Sequence, residues 1–237
     1  QEKKEVIPLI QDVTSLEYDI TSLVRKMSRT KMPVIGVLQG HQERPLQEEY
    51  RYLQTLLSET YEVRPVELGA QDRFDTALDA ILVLGPKMAL PENEVKAIDQ
   101  FLMQGKSVGF FLDAVHVDLR TFQATEAAHG LTALLASYGV TVGNQLVADV
   151  SSGNISVSER RNFMVINMPV PFPFIPVVKH MQGDSAISKG LSEVYFPFAT
   201  QVSVKAPEGI TAVTLASSSA KSWLESQPPN IDPRRDW

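Results

Sequence analysis

Val34-Ile35-Gly36-Val37-Leu38 is the stretch that decides the fold. It is a short apolar run without alternation, preceded by Pro33 and followed by the turn residues Gly40-His41-Gln42-Glu43. Such a run fits a strand covered on both faces, the situation of a parallel sheet. Working outward, Pro45 to Thr60 places Leu46, Tyr50, Leu53 and Leu57 on one helical face. Tyr61 to Leu68 reads as a second strand, and Ala80-Ile81-Leu82-Val83-Leu84, ended by Gly85-Pro86, as a third. Pro91 opens a helix whose inner face is Val95, Ile98, Phe101 and Leu102, and Gly105 stops it. Ser107 to Leu112 is a fourth strand with Asp113 at its C-terminal end, and Leu131 to Tyr138 is a further helix closed by Gly139. Strand and helix alternating at these spacings predict an α/β class with a parallel sheet flanked by helices.

The flanks read differently. Residues 5–10 look extended, and a helix follows with Leu16, Ile20, Leu23, Val24 and Met27 on one face. Thr14 or Ser15 caps its start, with Glu17 completing a capping box. After about residue 140 the pattern becomes β-rich and irregular. Gln145 to Val150, Phe163 to Met168, Val194 to Phe198, Gln201 to Val204 and Ile210 to Leu215 read as short strands joined by Pro, Gly and Ser loops. They either extend the first sheet or form a smaller lobe. The tail, residues 226–237, reads as an irregular linker.

Bulk properties exclude several function classes. The chain has 237 residues, a net charge of −6 and a pI near 5.3. Arg160-Arg161 and Arg234-Arg235 are its basic pairs, and no positive stripe exists to neutralise phosphates, so a nucleic-acid role is not expected. No cysteine is present, which removes disulfides, thiolate metal sites and a cysteine nucleophile. His41, His116, His129 and His180 lack metal-motif spacing. Gly36 and Gly40 make no dinucleotide fingerprint and no P-loop occurs, so no cofactor is expected. No apolar run reaches the ~20 residues of a spanning helix. The nearest, Met164 to Val178, contains Pro169, Pro171, Pro173 and Pro176, which a lipid-exposed helix tolerates poorly. The chain begins at Gln1 and reads as an excised or processed piece whose flanking membrane segments lie elsewhere.

In a doubly wound sheet, ligands bind at the C-terminal ends of the strands. The loops there supply the candidate ligand-binding residues His41, Gln42, Glu43, Gly85, Asp113 and His116. His41 and Glu43 form a polar pair suited to a ligand or to proton transfer. The plainer reading is a solvated turn with an acid at a helix start, and it is preferred. Asp113 and His116 suggest an acid–imidazole pair, but no G-x-S-x-G elbow accompanies them. An aspartate that caps the next segment is the plainer reading. Phe172, Phe174, Phe196 and Phe198 lie among prolines, either as an exposed docking patch or, preferably, as core filling.

Three segments carry a resemblance. They are Glu5-Val6-Ile7-Pro8, Leu16-Glu17-Tyr18-Asp19-Ile20-Thr21-Ser22, and Ile35-Gly36-Val37-Leu38-Gln39-Gly40-His41. Leu84-Gly85-Pro86, Phe110-Phe111-Leu112-Asp113, Pro197-Phe198-Ala199 and Ser217-Ser218-Ser219-Ala220-Lys221-Ser222-Trp223 follow in order. Together, from about residue 5 to about 225, they resemble the GldG-like auxiliary proteins of ABC transporters, related to a domain of intraflagellar transport proteins. The resemblance implies a class I glutamine amidotransferase-like, flavodoxin-like three-layer fold over residues 31–225. It makes residues 1–30 the end of a preceding domain with a connecting helix. It also implies an extracytoplasmic domain on the periplasmic face of a bacterial inner membrane, anchored by segments outside this chain. The implied partners are a separate ABC permease and ATPase, with an envelope glycan or lipid-linked ligand and a link to gliding motility. In the amidotransferases a cysteine nucleophile follows a central strand. The corresponding Leu112-Asp113-Ala114 has neither cysteine nor serine. The expectation is therefore a non-catalytic binding or coupling subunit. The alternatives are a hydrolase or transferase acting through His41, Asp113 or His116, and an assembly scaffold using Pro169 to Val178.

Overall fold

The computed structural model describes residues 16–28, 31–69, 71–161, 164–179, 181–182, 185–225, 229–235 and 237. The chain separates into two compact units, Gln1–Pro86 with Leu90–Leu112, and Lys87–Ala89 with Asp113–Trp237. That boundary falls inside the 31–225 span expected as one domain. The extended reading of residues 5–10 and the Thr14 or Ser15 cap lie outside the described residues.

The first unit contains α1 (Leu16–Ser28), β1 (Val34–Leu38), α2 (Arg51–Ser58), β2 (Glu62–Val66), β3 (Ala80–Leu84), α3 (Glu92–Met103) and β4 (Ser107–Phe111). Its strands form one parallel sheet in the order β2-β1-β3-β4. β1 pairs with β2 from Val34↔Glu62 to Leu38↔Val66, and with β3 from Ile35↔Ala80 to Val37↔Leu82. β3 pairs with β4 from Ala80↔Ser107 to Leu84↔Phe111. Every residue of β1 is buried. This is why its sequence shows no alternation: a central strand with both faces covered has no polar side to present. On one face Leu46, Tyr50 and Leu53 pack with Val37, Val63, Leu82 and Leu84. The β1-α2-β2 and β3-α3-β4 crossovers run in opposite directions along the sheet, so right-handed connections place α2 and α3 on opposite faces. Phe101 of α3 is buried and meets Phe74 edge-on with ring centroids 5.5 Å apart.

The helix expected from Pro45 begins only at Arg51. Residues 46–50 are turns, with the Glu48 and Glu49 N–H groups donating to the Pro45 carbonyl at 3.2 and 3.0 Å. Tyr50 is the N-cap, without a side-chain cap hydrogen bond.

The second unit is built mainly from antiparallel strands. It contains β5 (Val115–Asp118), β6 (Gln123–Glu126), α4 (Thr132–Ser137), β7 (Val140–Asp149), β8 (Ser152–Arg161), β9 (Met164–Val178), β10 (Val194–Tyr195), β11 (Thr200–Val204) and β12 (Ser222–Leu224). β5 pairs with β6, and two further sheets run β10-β9-β8 and β11-β7-β12. None of these strands joins the parallel sheet among the described residues. The choice left open by the sequence is thereby made: the β-rich part has its own core. Val115, Leu146, Ala148, Phe172, Phe174 and Ile231 form that core.

Local corrections follow from this packing. The proline-rich run Met164 to Val178 is one long strand. Pro169 and Pro171 face Ser156 and Asn154 of β8. Prolines two residues apart repeat the same ladder position, so the N–H groups they lack fall on one edge of the strand. β8, with the polar sequence SGNISVSERR, gave no strand signal and is held by this partner. Residues 210–215 are not a strand; Gly209, at φ 83°, turns the chain, and Ala216 alone bridges Met181. Gly139 closes α4 at φ 83°, and a Cβ there would collide with the Lys205 carbonyl. The tail read as a linker is tied down, with Ile231 fully buried. Arg235 donates to Glu225 Oε1 at 2.8 Å and lies 4.5 Å from the Trp237 ring centre, and Trp237 meets Phe174 edge-on. Phe172 and Phe174 are core residues; Phe198 packs on them, and Phe196 is exposed.

Candidate functional site

In the strand order β2-β1-β3-β4 the chain reverses direction between β1 and β3, as at the switch point of a doubly wound parallel sheet. The carboxyl ends of those two strands flank the position where such folds bind ligands. His41 and Glu43 follow β1, and Gly85 follows β3.

The loop after β1 is wound tightly. Gln39 still belongs to the ladder, its N–H donating to Val66 at 2.9 Å. Gly40 has φ 113° and Gln42 φ 59°. Left-handed backbone at a non-glycine residue costs on the order of 1 kcal/mol. It persists because Glu43 folds back on His41. The His41 N–H donates to Glu43 Oε2 at 2.7 Å, and His41 Nδ1 lies 3.1 Å from Glu43 Oε1. Gln42 itself points into solvent.

A third group completes the cluster. Glu94, in the first turn of α3, brings Oε2 to 3.1 Å from His41 Nε2. The side chains of His41, Glu43 and Glu94 expose 8%, 2% and 7% of their surface. The orientation at Nε2 falls short of a hydrogen bond, and Glu94 Oε2 has none among the described residues. Burial raises the Glu94 pKa; His41 pulls it down and Glu43 pushes it up. The result is a buried imidazole between two carboxylates, with Nδ1 bonded to Glu43 and Nε2 facing Glu94. The preferred reading of His41 and Glu43 as a solvated turn is corrected: both are buried partners.

Glu94 escaped the sequence reading, although a signal exists. It precedes Ile98 by four residues and Phe101 by seven, so it occupies the apolar stripe of α3. The buried residues of α3 are Glu94, Ala97, Ile98 and Phe101, with Val95 and Leu102 only half-buried. An acid on an inward stripe implies a partner, because a buried charge needs one.

The remaining candidates do not join this cluster. Gly85 has φ 55°, and its N–H is engaged by the Phe111 carbonyl at 2.7 Å. Asp113 and His116 belong to the second unit, whereas Glu43 and Glu94, the carboxylates beside His41, belong to the first. No hydrogen bond or ion pair joins Asp113 to His116 among the described residues. His116 lies on β5 opposite Thr125. Asp118, at the end of β5, accepts from the Arg120 N–H at 2.8 Å in the turn toward β6. A surface depression of the first unit, lined by Asp72, Glu92, Asn93, Lys96 and Gln100, includes none of the cluster.

The second unit has a buried acid of its own. Asp149, 1% exposed, accepts from Ser219 N–H at 2.7 Å, Ser219 Oγ at 2.6 Å and Ser151 N–H at 2.9 Å. Burial pushes its carboxyl up, and the bonds from Ser219 and Ser151 outweigh this, leaving its pKa below the usual value. This acid anchors the serine-rich loop before β12. His129 is also buried; Nδ1 accepts from the Leu131 N–H at 3.0 Å, and burial lowers its pKa.

The model of a family described as an ABC-type uncharacterized transport system matches residues 32–236. An uncharacterized protein of Borreliella burgdorferi is 21% identical over 235 residues, covering 95% of this chain and 45% of that protein. The chain thus spans less than half the length of that curated relative. Among solved structures, the mmIFT52 N-terminal domain is similar with a TM-score of 0.54 and 16% identity, over 83% of this chain and 76% of that one. At that identity the likeness concerns the fold.

Proposed function

The chain belongs to the GldG-like family of ABC-type transport-system auxiliary proteins, and from that premise we propose that it is a non-catalytic binding or coupling module. Family membership carries a transport-associated auxiliary role and association with ABC transporter components. The observation that supports the non-catalytic reading is the cluster of His41, Glu43 and Glu94. It occupies the position beside the β1–β3 reversal where a substrate would enter, and its titratable groups are buried against one another. A general base needs a free nitrogen within reach of substrate, and both nitrogens of His41 face carboxylates. The same cluster ties the β1 loop to α3, so displacing either element carries an electrostatic cost, as a coupling element requires.

On this reading the parallel sheet is the remnant of an amidotransferase-like three-layer architecture without its nucleophile. The domain stands on the periplasmic face of the inner membrane, with anchors supplied by sequence beyond this chain. No helix among the described residues is long and apolar enough to cross a membrane. Its partners are a permease and an ATPase, and its ligand is an envelope glycan or lipid-linked component, in the setting of gliding motility or envelope function. The candidate contact residue for that ligand in the first unit is the exposed Gln42.

The test is crosslinking and affinity capture of the full-length membrane protein, read by mass spectrometry. Specific recovery of an ABC permease with its ATPase supports the proposal. Their absence under conditions that retain other membrane complexes removes it.

A further inference from the structure

We propose that His129 is an acid-released catch in the second unit: its neutral ring holds the junction between β6 and α4 closed, and a proton on that ring lets the junction open. Ala127, Ala128, His129 and Gly130 join the end of β6 to Leu131, the N-cap of α4. Gly130 turns the chain at φ 76°, which glycine does at no steric cost. Across that turn the Leu131 N–H donates to His129 Nδ1 at 3.0 Å. His129 is 3% exposed and Leu131 is fully buried. A backbone N–H can only donate, so Nδ1 is the bare nitrogen of a neutral imidazole and the ring proton sits on Nε2. Bond and second proton therefore compete for one lone pair. Protonation makes Nδ1 a donor facing another donor. It strips the buried Leu131 N–H of its acceptor and places a charge in a buried site, and both effects oppose the closed junction. α4 has six residues and no side-chain cap hydrogen bond, and a helix so short does not stand by itself. Its start depends on the bond to Leu131 and on the packing of Leu131, Leu134 and Leu135.

The surroundings offer the extra proton no counter-charge. Burial lowers the His129 pKa, and no charged group among the described residues contributes to that shift. α4 (TALLAS) holds no titratable side chain. β7, against which α4 lies, holds Asp149, already bound by Ser219 and Ser151. β6 ends in the exposed Glu126. Its partner β5 holds His116, opposite Thr125, and Asp118, bound to the Arg120 N–H. The direction follows from linkage. In the opened junction the ring has its ordinary value of 6.5, and in the closed one a lower value. The opened form therefore binds the proton first as pH falls. The closed form is fully favoured above about pH 6.5 and loses ground from there down to the folded pKa. One proton sets the steepness, so opening grows by at most about tenfold per pH unit in that window.

Hydrogen exchange of the whole chain, corrected for intrinsic rates, reads the opening of residues 127–135 between about pH 7.5 and pH 5. Opening of this segment rises several-fold on acidification, within the limit of about tenfold per unit, while residues 172–178 of β9 keep their protection. Nitrogen resonances of the His129 ring place its proton on Nε2 at neutral pH and titrate with a midpoint below 6.5, in step with the change in exchange. His129→Asn supplies an acceptor oxygen that does not titrate, and in that variant the rise disappears. The ring resonances give the answer even if H129N fails to fold. A ring proton on Nδ1 at neutral pH, a midpoint at or above 6.5, or exchange at 127–135 that does not respond to pH overturns the proposal. So does a rise shared equally by β9, which reports loss of the whole unit, or a rise that survives in H129N.

Discussion

Replacing His41 by alanine probes the buried cluster most directly. The substitution removes the 3.1 Å contacts to Glu43 and Glu94. It leaves the backbone N–H of residue 41, which still donates to Glu43 Oε2 at 2.7 Å. Glu43 therefore keeps one charge-assisted bond, and Glu94 loses the imidazole that lowers its pKa. Removing one member of a buried pair costs about 3–5 kcal/mol. A carboxyl escapes by taking up a proton, at about 1.4 kcal/mol for each unit between its ordinary pKa and the pH. From the ordinary 4.5 of a glutamate to pH 7.5 this limits the penalty to about 4 kcal/mol, and at pH 5 to under about 1 kcal/mol. The sign follows from linkage. Burial already raises the Glu94 pKa, and the alanine variant loses the lowering influence of His41. A carboxyl whose folded pKa is raised loses stability as pH climbs from the unfolded value through the folded one. The H41A penalty therefore grows from pH 5 to pH 8. Urea unfolding by circular dichroism at both pH values gives the magnitude. The H41A/E94Q double variant recovers most of the loss at pH 8, because a neutral amide has no charge to bury. Equal losses at pH 5 and pH 8, or no recovery in the double variant, would refute the electrostatic account and leave only lost packing.

Three further perturbations test the second unit. Asp149→Ala leaves the Ser219 and Ser151 donors without their acceptor and costs about 2–4 kcal/mol at neutral pH, seen in Trp223 fluorescence during urea unfolding. Since the pKa of Asp149 lies below its ordinary 3.8, its stabilisation is complete above that value and disappears as pH falls through the folded pKa; wild type and variant therefore converge in acid. Ile231→Ala empties a fully buried position and lowers stability by about 2–4 kcal/mol, whereas a loose tail predicts no measurable shift. Gly139→Ala meets both a left-handed φ and the Lys205 carbonyl. It costs about 2 kcal/mol or more, and hydrogen exchange localises the damage to the junction of α4, β7 and β11.

The sequence by itself determined the parallel sheet: residues 34–38 and 80–84 are strands to the residue. An apolar run bounded by turn residues reports its own burial, because a strand covered on both faces needs no distant information to be apolar. It also determined the family, through segments spread along the chain. Only the tertiary structure decided which polar groups meet. His41 and Glu43 were legible as a pair because they are neighbours in the chain, but Glu94 joins them only through the crossover that lays α3 beside the end of β1. Asp149 and Ser219 are brought together in the same way, by antiparallel pairing of β7 with β12. The strand character of β8, polar in sequence, comes from its partner β9. Local periodicity measures how one element meets solvent; contacts between distant elements depend on how the chain closes its loops, and single-sequence patterns carry no term for that.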